Sequence, residues 1–345
     1  MLVYFINPDD KLFPMKLIAE TAWHHEGNFD FFKRLVKSLT MESKADIIKV
    51  HITLNLDEYM ASDHPSYPQL KDWMLTVDQW KEIIDLIENS DKQLMVLLND
   101  IDAIEFGMKY EPEYVEIHSV SLNDLRLLDR LKECVLPEAK IFLGVGGSTI
   151  EEYDHAIKYL DHKNTVLMHG FQNYPTKYSD INFKKIRKIM EQYPEMWHGY
   201  ADHTAWDEPD NLLITLLGAS QGMDYVEKHV TVEYGKERAD WSAAISVNML
   251  NELYGKLNLL KECMGDGNLD LNDAERQYSV FGPMKKAAML NKNVVKDDIF
   301  AIDMIDFKRT EQVTDLSQVN VANSVGKRLS MNVNKDHVLK KEHLL

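Results

Sequence analysis

Cysteine and excess positive charge are what this sequence most obviously lacks. Only Cys134 and Cys263 occur among 345 residues, far apart in the chain, so neither a disulfide framework nor a zinc cluster is indicated. Lysine and arginine number 39 against 56 aspartates and glutamates, which gives a formal net charge of −17. Because phosphate backbones and anionic lipids attract basic surfaces, neither nucleic acid nor a membrane is expected as a partner.

Long apolar runs and a secretory leader are also missing. No apolar run approaches the roughly 18 residues of a membrane-spanning helix. The first six residues, MLVYFI, include no basic residue and no small-residue cleavage site, so the expected location is the cytoplasm. Apolar residues make up 45% of the chain and charged residues 28%, which is ordinary globular composition. The chain therefore has enough apolar material for a packed core.

What the sequence does contain is a regular alternation of short apolar runs and longer amphipathic stretches. The runs predict strands at residues 16–20, 46–51, 93–97, 114–118, 140–144, 165–169, 198–202 and 225–229. The amphipathic stretches predict helices at residues 29–42, 77–89, 101–109, 122–133, 150–160, 183–192, 211–221 and 246–263. Eight such pairs in about 250 residues match an α/β fold of the (β/α)8 TIM-barrel type.

An open, doubly wound sheet is the alternative, because periodicity does not distinguish a closed sheet from an open one. Neither a GxGxxG nor a GxxxxGK[ST] loop follows the first predicted strand, and this favours the barrel. The turn-rich segment MGDGN after Cys263 then predicts a domain boundary. We expect a barrel domain at residues 1–264, a linker at 265–278 and a small C-terminal domain at 279–345.

Polar residues at the ends of the predicted strands are the first candidates for chemistry, since barrel enzymes place their sites there. His203 and His229 close consecutive strands about 4.8 Å apart and could bind one divalent ion. Alternatively, each is a hydrogen-bonded residue at the barrel rim. Glu20 and Lys49, on the first two strands, could form either a buried ion pair or an acid/base pair. Spacing alone leaves both questions open.

Five segments, taken together and in order, resemble the sialic acid synthase family, whose members condense phosphoenolpyruvate with an N-acetylated hexosamine to form nine-carbon sugar acids. They are residues 18–27 (IAETAWHHEG, similar to IAEIGxNHxG), 45–51 (ADIIKVH, similar to ADAVKFQ), 167–182 (LMHGFQNYPTKYSDIN, similar to LLHCxxxYPTPxxDxNL), 199–204 (GYADHT, similar to GxSDHT) and 226–231 (VEKHVT, similar to IEKHFT). Each motif alone is weak, but five in order at barrel spacing are specific. Residues 294–309 and 325–343 also resemble the family's antifreeze-like (SAF) domain.

The resemblance implies a set of site residues and partners. Its catalytic residues would be Glu20, Lys49 and Asp240; its substrate-binding residues Ser119, Tyr174, Asp202 and Arg309; and its metal ligands His203 and His229. The metal would be divalent, manganese or alternatively magnesium, and would polarise the aldehyde of an N-acetylmannosamine-type sugar. The small domain would be swapped across a homodimer, so that Arg309 reaches the partner's site.

Several departures from the family pattern concern the phosphate of phosphoenolpyruvate. A lysine and two serines that hold it in the family are replaced here by Glu116, Gly144 and Ala201. A carboxylate in place of an ammonium turns attraction of a phosphate into repulsion, a change of several kcal/mol at intermediate dielectric. A family sugar-binding glutamate corresponds to Ser121. Two alternatives therefore stay open: a carbon–carbon bond-forming or bond-cleaving enzyme with another donor, and a non-catalytic sugar-acid binding protein.

Overall fold

The computed structural model describes residues 15–170 and 173–345 and divides the chain into two compact units, Met1–Asp266 and Gly267–Leu345. The N-terminal segment on which the expected absence of a leader rests, and residues 171 and 172 of the motif after the sixth strand, lie outside the described residues. Within the described ranges, no helix is both long enough and apolar enough to cross a bilayer.

The first unit is a closed barrel of eight parallel strands. Each strand pairs with the next along the chain, and β1 pairs with β8, which confirms the barrel and excludes the open sheet. The strands are β1 Lys16–Glu20, β2 Ile47–Ile52, β3 Gln93–Leu98, β4 Tyr114–Ile117, β5 Lys140–Gly144, β6 Thr165–His169, β7 Trp197–Asp202 and β8 Tyr225–Thr231. A two-residue strand, β9 Ile245–Ser246, extends β8.

Helices follow the strands around the barrel. They are α1 Phe29–Glu42, α2 Leu56–Tyr59, α3 Tyr67–Asp72, α4 Val77–Glu88, α5 Ile101–Gly107, α6 Leu125–Cys134, α7 Ile150–Leu160, α8 Tyr178–Ile181, α9 Phe183–Gln192, α10 Asn211–Ala219 and α11 Val247–Met264. Their starting points follow from local chemistry. The side chain of Asn28 caps α1, and Thr76 and Thr149 form capping boxes that begin α4 and α7.

Two apolar layers hold the barrel together and decide where its polar groups collect. Outward-facing strand residues such as Val50 and Val96 belong to the main core that includes the helices. Inside the barrel, Tyr114, Phe142 and Tyr225 pack edge to face, with ring centroids 4.8 to 6.1 Å apart. Because Tyr114 and Tyr225 begin their strands, this aromatic cluster fills the amino-terminal end of the barrel. The polar inward-facing residues are left for the carboxyl-terminal end.

The second unit has its own small core. Strands β10 Ala287–Leu290 and β11 Ile305–Lys308 form an antiparallel pair, and the unit also contains α12 Asp273–Tyr278 and α13 Gln318–Ala322. Leu290, Phe300 and Leu329 are fully buried in its core. Its resemblance to an antifreeze-like domain stays a prediction.

Candidate active site

A cavity of about 370 Å³ is lined by residues at the carboxyl-terminal ends of the barrel strands and in the loops that follow them. Seven of the nine residues predicted for the site line it, namely Glu20, Lys49, Ser119, Tyr174, His203, His229 and Asp240. Strand register explains why they meet. Glu20 of β1 lies beside Lys49 of β2 on one side and beside His229 of β8 on the other.

Lys49 lies at the centre of a buried cluster of charged residues. Its Nζ is 2.6 Å from Glu20 Oε2, 2.7 Å from Glu116 Oε2 and 2.9 Å from Glu227 Oε2. His51 Nε2 lies 3.3 Å from the same Glu20 oxygen. The ion pair considered for Glu20 and Lys49 is therefore present, but it is larger than the sequence suggested, because two further strands each add a carboxylate.

Burial and mutual attraction set the protonation of this cluster. Burial lowers the pKa of Lys49, but the three carboxylates outweigh burial and hold that pKa well above its usual value. Burial raises the pKa of Glu20, but His51 and Lys49 outweigh it, so the Glu20 pKa lies well below its usual value. Burial raises the pKa of Glu116, and it raises the pKa of Glu227 to about 8. At neutral pH, Lys49 and Glu20 are therefore charged, while Glu227 holds a proton to a higher pH than an ordinary glutamate does.

His203 and His229 lie side by side on another part of the cavity wall. Their ring centroids are 4.9 Å apart, and the Tyr174 ring is 5.6 Å from each. Burial lowers the pKa of His203 to about 4, and burial together with the neighbouring His203 holds the pKa of His229 well below its usual value. His203 Nδ1 lies 3.0 Å from the Ala201 carbonyl, to which it donates, so its Nε2 carries the lone pair.

These two neutral imidazoles fit an open metal site. Neutral rings offer the lone pairs that a divalent ion needs, and His229 Nδ1 is buried without a hydrogen-bond partner in the described part of the chain. Within residues 15–170 and 173–345, however, no group of three or more His, Cys, Asp or Glu side chains is placed to hold a metal. An ion here would therefore depend on two imidazoles together with water or substrate oxygens.

Tyr174 and Asp240 meet at the rim of the cavity. The Tyr174 hydroxyl donates to the Asp240 carbonyl, and the backbone N–H of Trp23 donates to Asp240 Oδ2 at 2.9 Å. Arg238 in the same loop donates to the His24 carbonyl at 2.9 Å and pairs with Glu26 at 3.3 Å. The loop after β8 is thus fixed to the loop after β1.

Two predicted site residues are not part of this cavity wall. Asp202 is fully buried: its Oδ2 accepts from Lys228 Nζ at 2.8 Å and from Thr215 Oγ1 at 2.6 Å, and its Oδ1 accepts from the Thr204 hydroxyl at 2.7 Å. Both oxygens are occupied, so the substrate contact predicted for Asp202 finds no support here. Arg309 belongs to the second unit, where its guanidinium donates to the Pro283 carbonyl at 2.6 and 2.8 Å. Its role in a partner's site stays a prediction.

The positions that hold phosphate in the resembled family do come together. Glu116, Ser119, Gly144 and Ala201 all line the cavity. A β-carbon at Gly144 would lie 2.7 Å from the backbone nitrogen of Ser119, so a serine there would require the backbone to shift. Among the described residues that line the cavity, Lys49 is the only lysine or arginine, and three carboxylates already surround it.

The predicted set of site residues leaves out several residues that line the cavity. Glu227, His51, His118, Trp23 and Tyr59 all line the cavity. Strand alternation could have identified two of them from the sequence. Glu227 lies two residues before His229 and therefore faces the same side of β8, and His51 is related to Lys49 in the same way on β2. Trp23 lies in the loop after β1 and Tyr59 ends the four-residue helix α2, and neither segment is long enough for periodicity to indicate side-chain direction.

Comparison with known proteins identifies the family to which this chain is similar. Residues 36–269 match the NeuB family. The chain is 23% identical to N,N'-diacetyllegionaminic acid synthase of Legionella pneumophila, over 98% of this chain and 97% of that protein. It is 20% identical to human N-acetylneuraminate-9-phosphate synthase, over 95% and 92%. The structure of N-acetylneuraminic acid synthetase from Leptospira borgpetersenii superposes with a TM-score of 0.69 at 20% identity, over 76% of this chain and 90% of that one. Because the family match spans more than half of the sequence, the chain belongs to the NeuB family.

Proposed function

We propose that this protein is a nonulosonic acid synthase that condenses phosphoenolpyruvate with the aldehyde of an N-acetylated amino sugar of the N-acetylmannosamine type. One observation carries the proposal: the His203–His229 pair and the Lys49 cluster line the same cavity at the carboxyl-terminal end of the barrel. Family membership and relatives named as synthases of sugar acids support it.

The proposed reaction gives each group a defined task. C3 of the enolpyruvate attacks the aldehyde carbon, the resulting alkoxide takes up a proton, water adds at C2, and phosphate leaves. A divalent cation at His203 and His229, manganese or magnesium, would polarise the aldehyde. Lys49 would supply positive charge to the donor, and Glu227, whose pKa burial raises, would supply the proton. Tyr174 and Asp240 at the rim would bind the sugar.

Phosphate release is the direct test. We expect inorganic phosphate from phosphoenolpyruvate only when Mn²⁺ and a suitable N-acetylated or diacetamido hexose are both present. A panel of such sugars, with controls that omit sugar or metal, identifies the acceptor in the same assay. Absence of phosphate release with every sugar of the panel would contradict the use of phosphoenolpyruvate.

A second candidate keeps the carbon–carbon chemistry but uses a donor without phosphate, such as pyruvate. The carboxylate of Glu116, 2.7 Å from Lys49, favours it, because that carboxylate occupies a phosphate-binding position of the family. C3 of the 2-oxo acid would lose a proton to a carboxylate and attack the aldehyde carbon, and the alkoxide would then take up a proton, so that no group leaves. A nine-carbon acid formed from pyruvate and detected by mass spectrometry would establish it. Stabilisation by a sugar acid without turnover of either donor would instead indicate a binding protein.

The family resemblance also leads us to propose a swapped homodimer in which Arg309 acts in the partner's cavity. Mixing subunits tests this without a structure of the dimer. Homodimers of Arg309→Ala and of His203→Ala should each be inactive. Refolding the two variants together should make half of the dimers mixed, and each mixed dimer holds one complete site out of two. About a quarter of wild-type activity should therefore return. No recovery, although mass spectrometry shows mixed dimers, would contradict action of Arg309 in the partner's site.

A further inference from the structure

Two aromatic residues that line the cavity, Trp23 and Tyr59, have no role in the proposed reaction. Trp23 follows β1, Tyr59 ends α2, and both side chains are half-buried in the cavity wall. Many of the other lining side chains are carboxylates, imidazoles or amides. Trp23 and Tyr59 therefore add broad aromatic faces to a cavity that also presents many polar groups.

The ring of Trp23 is held in place on several sides. Its backbone N–H donates to Asp240 Oδ2 at 2.9 Å, which ties it to the rim loop. Its ring centroid lies 5.6 Å from that of His25 and 6.5 Å from that of Trp73. A ring that is packed before ligand arrives loses little side-chain freedom on binding, so its contact area contributes to affinity.

Tyr59 lines the same cavity as Trp23 and Asp240. Burial and then the nearby Asp240 carboxylate raise the pKa of Tyr59, so its hydroxyl keeps its proton and can donate a hydrogen bond. Trp23 is thus tied to Asp240, the residue proposed to bind the sugar, and Tyr59 lines the same cavity.

Carbohydrates present both kinds of surface that this cavity offers. The hydroxyl and amide groups of a sugar need polar partners. Its C–H face and the methyl of an N-acyl group are apolar, and they pack favourably against aromatic rings. Resting on the proposed function, we infer that Trp23 and Tyr59 form the apolar wall of the acceptor subsite and bind the C–H face and acyl methyl of the N-acetylated sugar. They are specificity-determining residues that bind acceptor and leave the donor untouched.

Kinetics of Trp23→Leu and Trp23→Phe, with Trp73→Phe as the matched control, test the wall. Trp73 packs beside Trp23 but does not line the cavity. We expect Trp23→Leu to raise KM for the sugar about tenfold, because buried aromatic area is lost, while kcat and the donor KM change less than about twofold. Trp23→Phe should keep most of the affinity, and Trp73→Phe all of it. Unchanged sugar KM in Trp23→Leu would overturn the inference.

Tryptophan fluorescence separates this inference from the proposed function. Sugar should change the emission of wild-type protein and of Trp73→Phe but not of Trp23→Phe. The same emission changes in a protein that turns over no donor would support the wall and contradict the synthase. No emission change with any sugar of the panel, in a protein that does turn over, would overturn the wall alone. Melting temperatures close to wild type verify that each variant is folded.

Discussion

Lys49→Met should both abolish turnover and lower the free energy of unfolding of the barrel unit by about 3 kcal/mol, the lower end of the cost of breaking a buried ion pair. The substitution keeps most of the side-chain volume but leaves Glu20, Glu116 and Glu227 together without a cation. Urea unfolding followed by tryptophan fluorescence measures the loss in this unit, because all six tryptophans lie before residue 267.

The pH dependence of this variant has a definite sign. Without the ammonium, the buried carboxylates keep protons at pH values where they are ionised in the unfolded chain. Unfolding then releases protons, so Lys49→Met should become less stable relative to wild type as pH rises from about 6 to 8. A stability difference that does not change over this range would contradict the charge assignment of the cluster.

Glu116→Gln is the matched control for Lys49→Met. It removes one carboxylate but leaves Lys49 paired with Glu20 at 2.6 Å and Glu227 at 2.9 Å, so stability should stay close to wild type. The charge that repels a phosphate is also removed, so KM for phosphoenolpyruvate should fall. An unchanged KM for phosphoenolpyruvate would show that Glu116 does not lie beside the donor.

The barrel could be predicted from the sequence because parallel strands buried on both faces leave continuous apolar runs with polar ends. The predicted bounds of β1, β5 and β6 coincide with those of the structure. Helices α2 and α3 were missed because Leu56–Tyr59 and Tyr67–Asp72 are too short to show a helical period. Helix α6 begins at Leu125, later than predicted, because Asp124 caps it after a short 3-10 turn.

The site was predictable where strand order sufficed and not where side-chain direction mattered. His203 directly follows β7 and His229 lies in the neighbouring strand β8, so their closeness follows from chain order alone. Asp202 shows the importance of direction: His203 faces the cavity, so the preceding residue faces away from it, towards Thr215 of α10 and Lys228 of β8, which both donate to it. The carboxylate cluster could not be predicted, because its prediction requires knowing which residues of four strands point towards the barrel axis. A linear sequence does not contain that information directly.

The second large effect is acid instability of the barrel unit. Burial lowers the pKa of His25 and His169 to about 3 and that of His198 to about 4. His169 Nε2 lies 3.1 Å from His198 Nδ1, and His198 Nε2 lies 3.1 Å from the Tyr193 carbonyl, so the neutral pair is hydrogen-bonded in one direction. A proton on His198 Nδ1 would break this arrangement.

The direction of the effect follows from where each state binds protons. Unfolded histidines titrate near 6.5, whereas these three stay neutral in the folded barrel until pH 4 or below. Their stabilisation is therefore complete above about pH 6.5 and is lost as pH falls from there towards 4. At pH 5.5 each histidine should cost about 1.4 kcal/mol relative to neutral pH, or about 4 kcal/mol for the three.

Urea unfolding by tryptophan fluorescence at pH 7.5, 6.5 and 5.5 measures this loss. His198→Asn, whose amide can still bond with His169, should reduce the loss by about 1.4 kcal/mol, the share of the one titrating group that is removed. His64→Asn, at an exposed position of the same unit, should leave it unchanged. If the free energy of unfolding stays constant from pH 7.5 to 5.5, these imidazoles bind protons in the folded barrel as they do in the unfolded chain. That result would contradict a neutral, hydrogen-bonded His169–His198 pair.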